Sequence, residues 1–157
     1  MPGSIIDQLM HSIRSSCALY HKLILLTGVP GSGKTPILNE IAAHFQQSVI
    51  NVNLAISEKL IGVSKKQRPL KISALINDLV GTGETPVILD NLEMLFDIEL
   101  KQNPLHLLMN NARNRVVVAS WSGTYKDGRL VYAEIGHSEY RIYDTQDSKK
   151  VLIVVTN

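Results

Sequence analysis

"TGVPGSGKTPILNE", residues 27–40, decides the reading of this chain. Gly28, Val29, Pro30, Gly31, Ser32, Gly33, Lys34 and Thr35 fit the pattern G-x-x-x-x-G-K-[ST]. The flanks supply the context that the pattern requires. Before it, "KLILLTG" is a short apolar run broken at Gly28, which predicts a buried strand. After it, Ile37, Leu38, Ile41, Ala42 and Phe45 recur at helical spacing. Glycines let the backbone turn its N–H groups inward around a phosphate, and the following helix adds the positive end of its dipole. Lys34 is expected to reach the terminal phosphates, and Thr35 to hold Mg²⁺ through its hydroxyl. A glycine-rich turn with no ligand is the alternative, and the strand and helix on either side disfavour it.

Pro36 complicates this loop. A proline is tolerated in the first helical turn, where the N–H has no helical partner. In a phosphate loop those free N–H groups are themselves the ligands, so one donor is expected to be missing. Proline also disfavours a helical residue before it, which predicts a helix starting one residue late.

The magnesium half of the site is expected on a neighbouring strand. "VILD" (87–90) is an apolar run ending in Asp90, whose carboxylate suits the metal shell at the sheet edge where ligands of open α/β folds collect. In many P-loop ATPases a Glu directly after this Asp handles the attacking water. Here the residue is Asn91, which accepts a hydrogen bond but takes no proton. Glu93 lies two positions on. It turns toward the γ-phosphate if the strand ends at Asp90, and otherwise sits exposed at a helix start.

Further along, "RVVVAS" ends in Ser120, where P-loop ATPases of the AAA-like kind carry a polar residue that senses the γ-phosphate; a solvated strand end is the alternative. Arg113 and Arg115 precede that strand. Either is a candidate for an arginine acting on a neighbouring subunit's nucleotide, against the plainer role of a solvated surface residue.

The rest of the chain reads as alternating helices and strands. Ile5, Leu9, Ile13 and Cys17 mark an amphipathic first helix with Ser4 as its N-cap. "SVINVNL" reads as a second strand, "SALINDLV" as a helix after the basic turn "SKKQRP", and "NPLHLLMNNA" as another helix. The last third reads as strand-rich with turns at Gly128 and Gly136 and a final strand in "VLIVVTN". Such alternation predicts a single αβα domain over 1–157, with a mostly parallel sheet of five or more strands. Residues 1–20 form its N-terminal helix, residues 21–157 its core, and no helical lid follows. An open site of that kind predicts a homo-oligomer or a larger partner that completes it.

Composition narrows the classes. With 157 residues, 45% of them hydrophobic, the chain is long enough for one buried core. Sixteen Lys and Arg against 14 Asp and Glu leave +2, so no strong field advertises nucleic acid, although direct DNA contact is not excluded. "SKKQRP" reads as an exposed loop before a phosphate-backbone contact. Trp121 and Tyr125, Tyr132, Tyr140 and Tyr143 read as packing before base-stacking groups.

Cys17 stands alone, which rules out an internal disulfide. No apolar run approaches the ~20 residues of a membrane helix, and a cytoplasmic protein is expected. His11, His21, His44, His106 and His137 lack metal-site spacing. No N-K-x-D guanine reader appears, which disfavours a GTPase. After residue 115 only Arg129 and Arg141 remain, too few for the lid of a small-molecule or nucleotide kinase.

Five stretches in order carry a resemblance: "YHKLILLTGVPGSGKT", "INVNLAISEKL", "LDNLEMLFDIELKQNPLHLL", "ARNRVVVASWSGTY" and "LVYAEIGHSEYRIY". Over roughly residues 20–143 the chain resembles the small P-loop protein of BREX (bacteriophage exclusion) defence systems, the BrxF type. The resemblance implies a bacterial or archaeal cytoplasmic protein that acts with other BREX proteins against phage. It places the nucleotide role on Lys34, Thr35 and Asp90 and implies no catalytic glutamate. The resulting expectation is an ATP- and Mg²⁺-binding protein, either a weak or partner-stimulated ATPase or a nucleotide-gated switch without hydrolysis.

Overall fold

The fold was obtained as a computed structural model, which describes residues 4–133 and 138–156. Five strands lie parallel in the order β2-β3-β4-β1-β7: β1 (Leu23–Gly28), β2 (Ile50–Asn51), β3 (Val87–Asp90), β4 (Val117–Lys126) and β7 (Leu152–Val155). Two more extend it antiparallel: β5 (Arg129–Tyr132) pairs with the far half of β4, and β6 (Arg141–Tyr143) with β5. The result is the expected α/β domain, with a sheet of seven strands.

Strand alternation divides the core between the two faces. Ile24 and Leu26 join a cluster with α1 (Ile5–Ser16) and α2 (Lys34–His44), which bury Leu9, Ile13, Leu38 and Ile41. Leu23 and Leu25 face the other side. There they meet α3 (Val52–Leu60), α4 (Arg68–Val80) and α5 (Pro104–Asn110) through Ile56, Ile72, Ile76 and Leu108. Both faces of β1 are therefore covered, which is why its sequence is an unbroken apolar run.

Caps set the helix starts as the sequence suggests. Ser4 Oγ accepts from Asp7 N at 3.1 Å, and Asn103 Oδ1 accepts from His106 N at 3.3 Å. Cys17 does not continue the apolar stripe; it closes α1 and is exposed.

Three boundaries depart from the sequence reading. "SVINVNL" is a strand only at Ile50–Asn51, because Asn51 Oδ1 accepts from Leu54 N at 3.0 Å and caps α3. A side-chain cap wins over the β-branched residues that follow it. Secondly, α2 starts at Lys34, without the one-residue delay expected from Pro36. Gly33 is left-handed, with φ 91°, and turns the chain straight into the helix, overriding the bias against helix before proline.

The third departure is β4, which runs ten residues, well past Ser120. Its second half pairs with β5 across a two-residue turn, Asp127–Gly128, with φ 54° and 77°. Positive φ at both positions suits a tight hairpin. The hairpin closes over an aromatic group: Phe96 stacks on Tyr132 with ring centroids 3.5 Å apart, and Trp121 meets Phe96 edge-on at 5.1 Å. Trp121 Nε1 also donates to Val131 O at 3.0 Å. Trp121, Tyr132 and Tyr143 are thus core residues. The turn expected at Gly136 lies outside the described residues. No described helix is long and apolar enough to cross a membrane.

Candidate functional site

Residues 28–35 leave the C-terminal end of β1 and enter α2. Gly31 and Gly33 have φ of 83° and 91°, a region that other side chains rarely adopt. Gly28 leaves room for a different reason: a Cβ there would meet Ser32 Oγ and Thr156 Oγ1, and both side chains would have to move.

Lys34 is the first residue of α2 and is only 8% exposed. Its ammonium donates to Gly28 O at 2.6 Å and to Val29 O at 3.0 Å, so the side chain folds back along the loop. Burial pulls its pKa below the ordinary lysine value, and the carboxylates of Asp90 and Glu93 pull it partly back up.

Asp90 ends β3 beside this loop and is 5% exposed. Three donors hold its carboxylate. Thr35 Oγ1 donates to Oδ2 at 2.7 Å, Ser120 Oγ to Oδ1 at 2.7 Å, and the Asn91 N–H to Oδ1 at 2.9 Å. Buried carboxylates are tolerated when hydrogen bonds replace water in this way.

Thr35, Asp90, Glu93 and Ser122 line one cavity of about 370 Å³ together with Lys34 and Pro36. Asn91 joins them with a left-handed backbone, φ 56°, and its carbonyl accepts from Asn53 N at 2.8 Å. The chain therefore turns sharply at Asn91. That turn carries Glu93, half-buried at the start of a short 3-10 turn (Glu93–Phe96), into the cavity and not out to solvent.

Two sequence expectations fall elsewhere. Ser120 is spent on Asp90 and does not line the cavity; Ser122, two positions further along the same face of β4, does. Sequence reading missed Ser122 because it ended the strand at Ser120. The period-two repeat of serine was the available signal. Arg113 and Arg115 precede β4 and so lie at the opposite end of the sheet from the P-loop. Arg115 donates to Val80 O at 2.6 Å and to Thr85 O at 2.8 Å, pinning the glycine-rich turn before β3. Arg113 lies over the Tyr20 ring, 4.5 Å from its centroid.

The model of the ATPase family associated with various cellular activities (AAA) matches residues 24–122, from β1 to Ser122. The chain belongs to the AAA family. Its fold is the P-loop NTPase fold of that family, whose members are nucleotide-binding ATPases. A solved structure of PCH-2 from C. elegans aligns with 96% of this AAA chain and 41% of its own, at a TM-score of 0.47 and 18% identity. No curated protein matches the chain.

AAA proteins typically bind ATP with Mg²⁺. The donor set fits that ion: a hydroxyl and a carboxylate are hard oxygen ligands. Thr35 Oγ1 and Asp90 Oδ2 are 2.7 Å apart, near the ~2.9 Å between adjacent oxygens of an octahedron with ~2.05 Å metal–oxygen bonds.

Proposed function

We propose that this AAA domain binds ATP with Mg²⁺ at residues 28–35 and acts as a weak or partner-stimulated ATPase. Its setting is an oligomeric, cytoplasmic assembly of the BREX type that the sequence resembles, in company with other BREX proteins. The observation that carries the reading is the Thr35–Asp90–Ser120 chain of hydrogen bonds, which sets Asp90 in the same cavity as Lys34 and Thr35 of the first turn of α2.

Each residue has a chemical task. Backbone N–H groups of Gly31 to Thr35 cradle the phosphates, and Lys34 neutralises the terminal ones. Thr35 and Asp90 would hold Mg²⁺, which supplies charge stabilisation between the phosphates when bound. Ser120 orients Asp90. Ser122 faces the cavity from β4 and serves the γ-phosphate end.

Glu93 is the one carboxylate of the cavity not already held by Thr35 and Ser120, and it serves as general base. In that step the oxygen of water bonds to the γ-phosphorus as the β–γ bridging bond breaks, Glu93 takes the proton, and ADP leaves.

Asn91 and Pro36 support a second reading, a nucleotide-gated switch without turnover. The first removes the usual base position and the second removes one phosphate donor. Phosphate release by wild type, Lys34→Ala and Glu93→Gln, alone and with partner proteins, tests the first reading. Turnover that Lys34→Ala abolishes and Glu93→Gln cuts at least tenfold supports it. ATP binding with no turnover under any condition leaves the switch.

A further inference from the structure

The geometry points to single-stranded nucleic acid as a ligand of the sheet end opposite the P-loop. Parallel strands share one N-terminal end, so the segments feeding β1, β4 and β7 meet there. Stepping back two positions from the Ile24↔Leu152 pair aligns Lys22 with Lys150. Stepping back two from Leu23↔Val117 reaches Arg115. Arg14 in the last turn of α1, Arg113 and Lys149 complete a rim of cations. Carboxylates are fewer at this end: Asp78 lines the second hollow, Glu84 precedes β3, and Asp147 lies 3.5 Å from His106. A near-neutral chain sum conceals this local excess.

The rim is shaped as well as charged. Two hollows of about 530 and 300 Å³ lie side by side, with Arg113 and Asn114 lining both. Tyr20 lines the first with its ring 64% exposed and the Arg113 guanidinium already stacked on it. Unpaired bases stack on such aromatic and guanidinium planes. Asn77 and Asn111 line the second hollow tied to each other, Asn77 Nδ2 donating to Asn111 Oδ1 at 3.2 Å, while Asn110 and Asn114 bring to it amides that both donate and accept, as base edges require.

The cations are preset. Lys22 Nζ is held by Leu19 O at 2.9 Å and Arg113 O at 3.0 Å, and Arg115 by backbone carbonyls. Neutral carbonyls fix these groups without discharging them. A concave, aromatic-lined groove suits a strand with splayed bases; a duplex hides its bases in a stack and is read by a protruding helix or ribbon.

Fluorescence anisotropy of a labelled oligothymidylate with the whole chain tests this, with an oligouridylate arm to tell DNA from RNA. Binding of either strand that weakens steeply with salt is expected. Tyr20→Ala is expected to lose about tenfold in affinity, and Lys149→Glu with Lys150→Glu more. These three side chains are exposed, so the variants should melt with wild type, and Arg14→Glu replaces any that does not. Lys34→Ala, at the other end, keeps wild-type affinity and separates this groove from the nucleotide site. No binding at low salt, rim variants that bind like wild type, or equal affinity for a duplex would each overturn the proposal.

Discussion

Ser120 Oγ sits 2.7 Å from Asp90 Oδ1, so the serine that the strand pattern offers as a phosphate sensor is the group that aims the Asp90 carboxylate. Ser120→Ala removes a buried, charge-assisted hydrogen bond of about 1.5–3 kcal/mol. Two effects are expected: a melting temperature several degrees lower, and ATP affinity with Mg²⁺ reduced about tenfold while Mg²⁺-free affinity barely changes. Calorimetry with and without the metal reads both. An equal loss in the two conditions would mean that Ser120 acts on the fold alone.

Pro36 lines the cavity at the third position of α2, where the proposed phosphate cradle lacks an N–H. Pro36→Ala restores that donor. Affinity for ATP should rise by about one to two orders of magnitude, the worth of one charge-assisted hydrogen bond. Equal affinities by calorimetry would refute the missing-donor account.

Asn91→Glu places a carboxylate where the chain offers only an amide. If the sharp turn at Asn91 is what brings Glu93 into play, the double variant Asn91→Glu with Glu93→Gln should not recover the turnover of wild type. A left-handed backbone at 91 holds that side chain in a different place from a strand-end glutamate. Recovery of full phosphate release would assign the base to position 91.

Lys34 gives a pH prediction with a definite sign. Its ammonium must be charged to hold phosphate, and burial has already lowered its pKa. Affinity for Mg²⁺-free ATP should therefore fall as pH rises through that lowered value. The negative charge of Asp90 pulls the pKa up, so Asp90→Asn should move the alkaline limb to lower pH. A limb that stays put or moves up would show that Asp90 does not act on Lys34 through charge.

The packed aromatic group gives a stability prediction. Trp121→Ala empties the space beside Phe96, Tyr132 and Tyr143 and should cost about 3–5 kcal/mol, read in a denaturant titration.

The phosphate loop, Asp90 and the alternating α/β order were legible because each rests on local chemistry: glycines at a turn, an apolar run, a terminal carboxylate. Ser4 and Gly128 were legible for the same reason. What escaped depends on partners distant in sequence. Asn51 ends β2 by capping α3, against the β-branched residues around it. Ser122 enters the cavity only because β4 continues past Ser120 and stays paired with β1, opposite Gly28. Arg115 reads as a free arginine until the carbonyls of Val80 and Thr85 claim it. Glu93 reads as a surface residue until the turn at Asn91 redirects it.

The two pairings of β4 fix its alignment at both ends, with Leu26 opposite Ser120 in the parallel sheet and Gly123 opposite Tyr132 in the hairpin. A slip of one residue would carry Ala119 and Trp121 to the places of Ser120 and Ser122, setting a methyl group where Asp90 requires a hydroxyl and an indole where a small serine lines the cavity. The Asp127–Gly128 turn is remote from the phosphates, yet it acts as a stop on that slip. Lengthening the turn by one residue would therefore threaten the alignment of the chemistry before it touched the stability of the sheet.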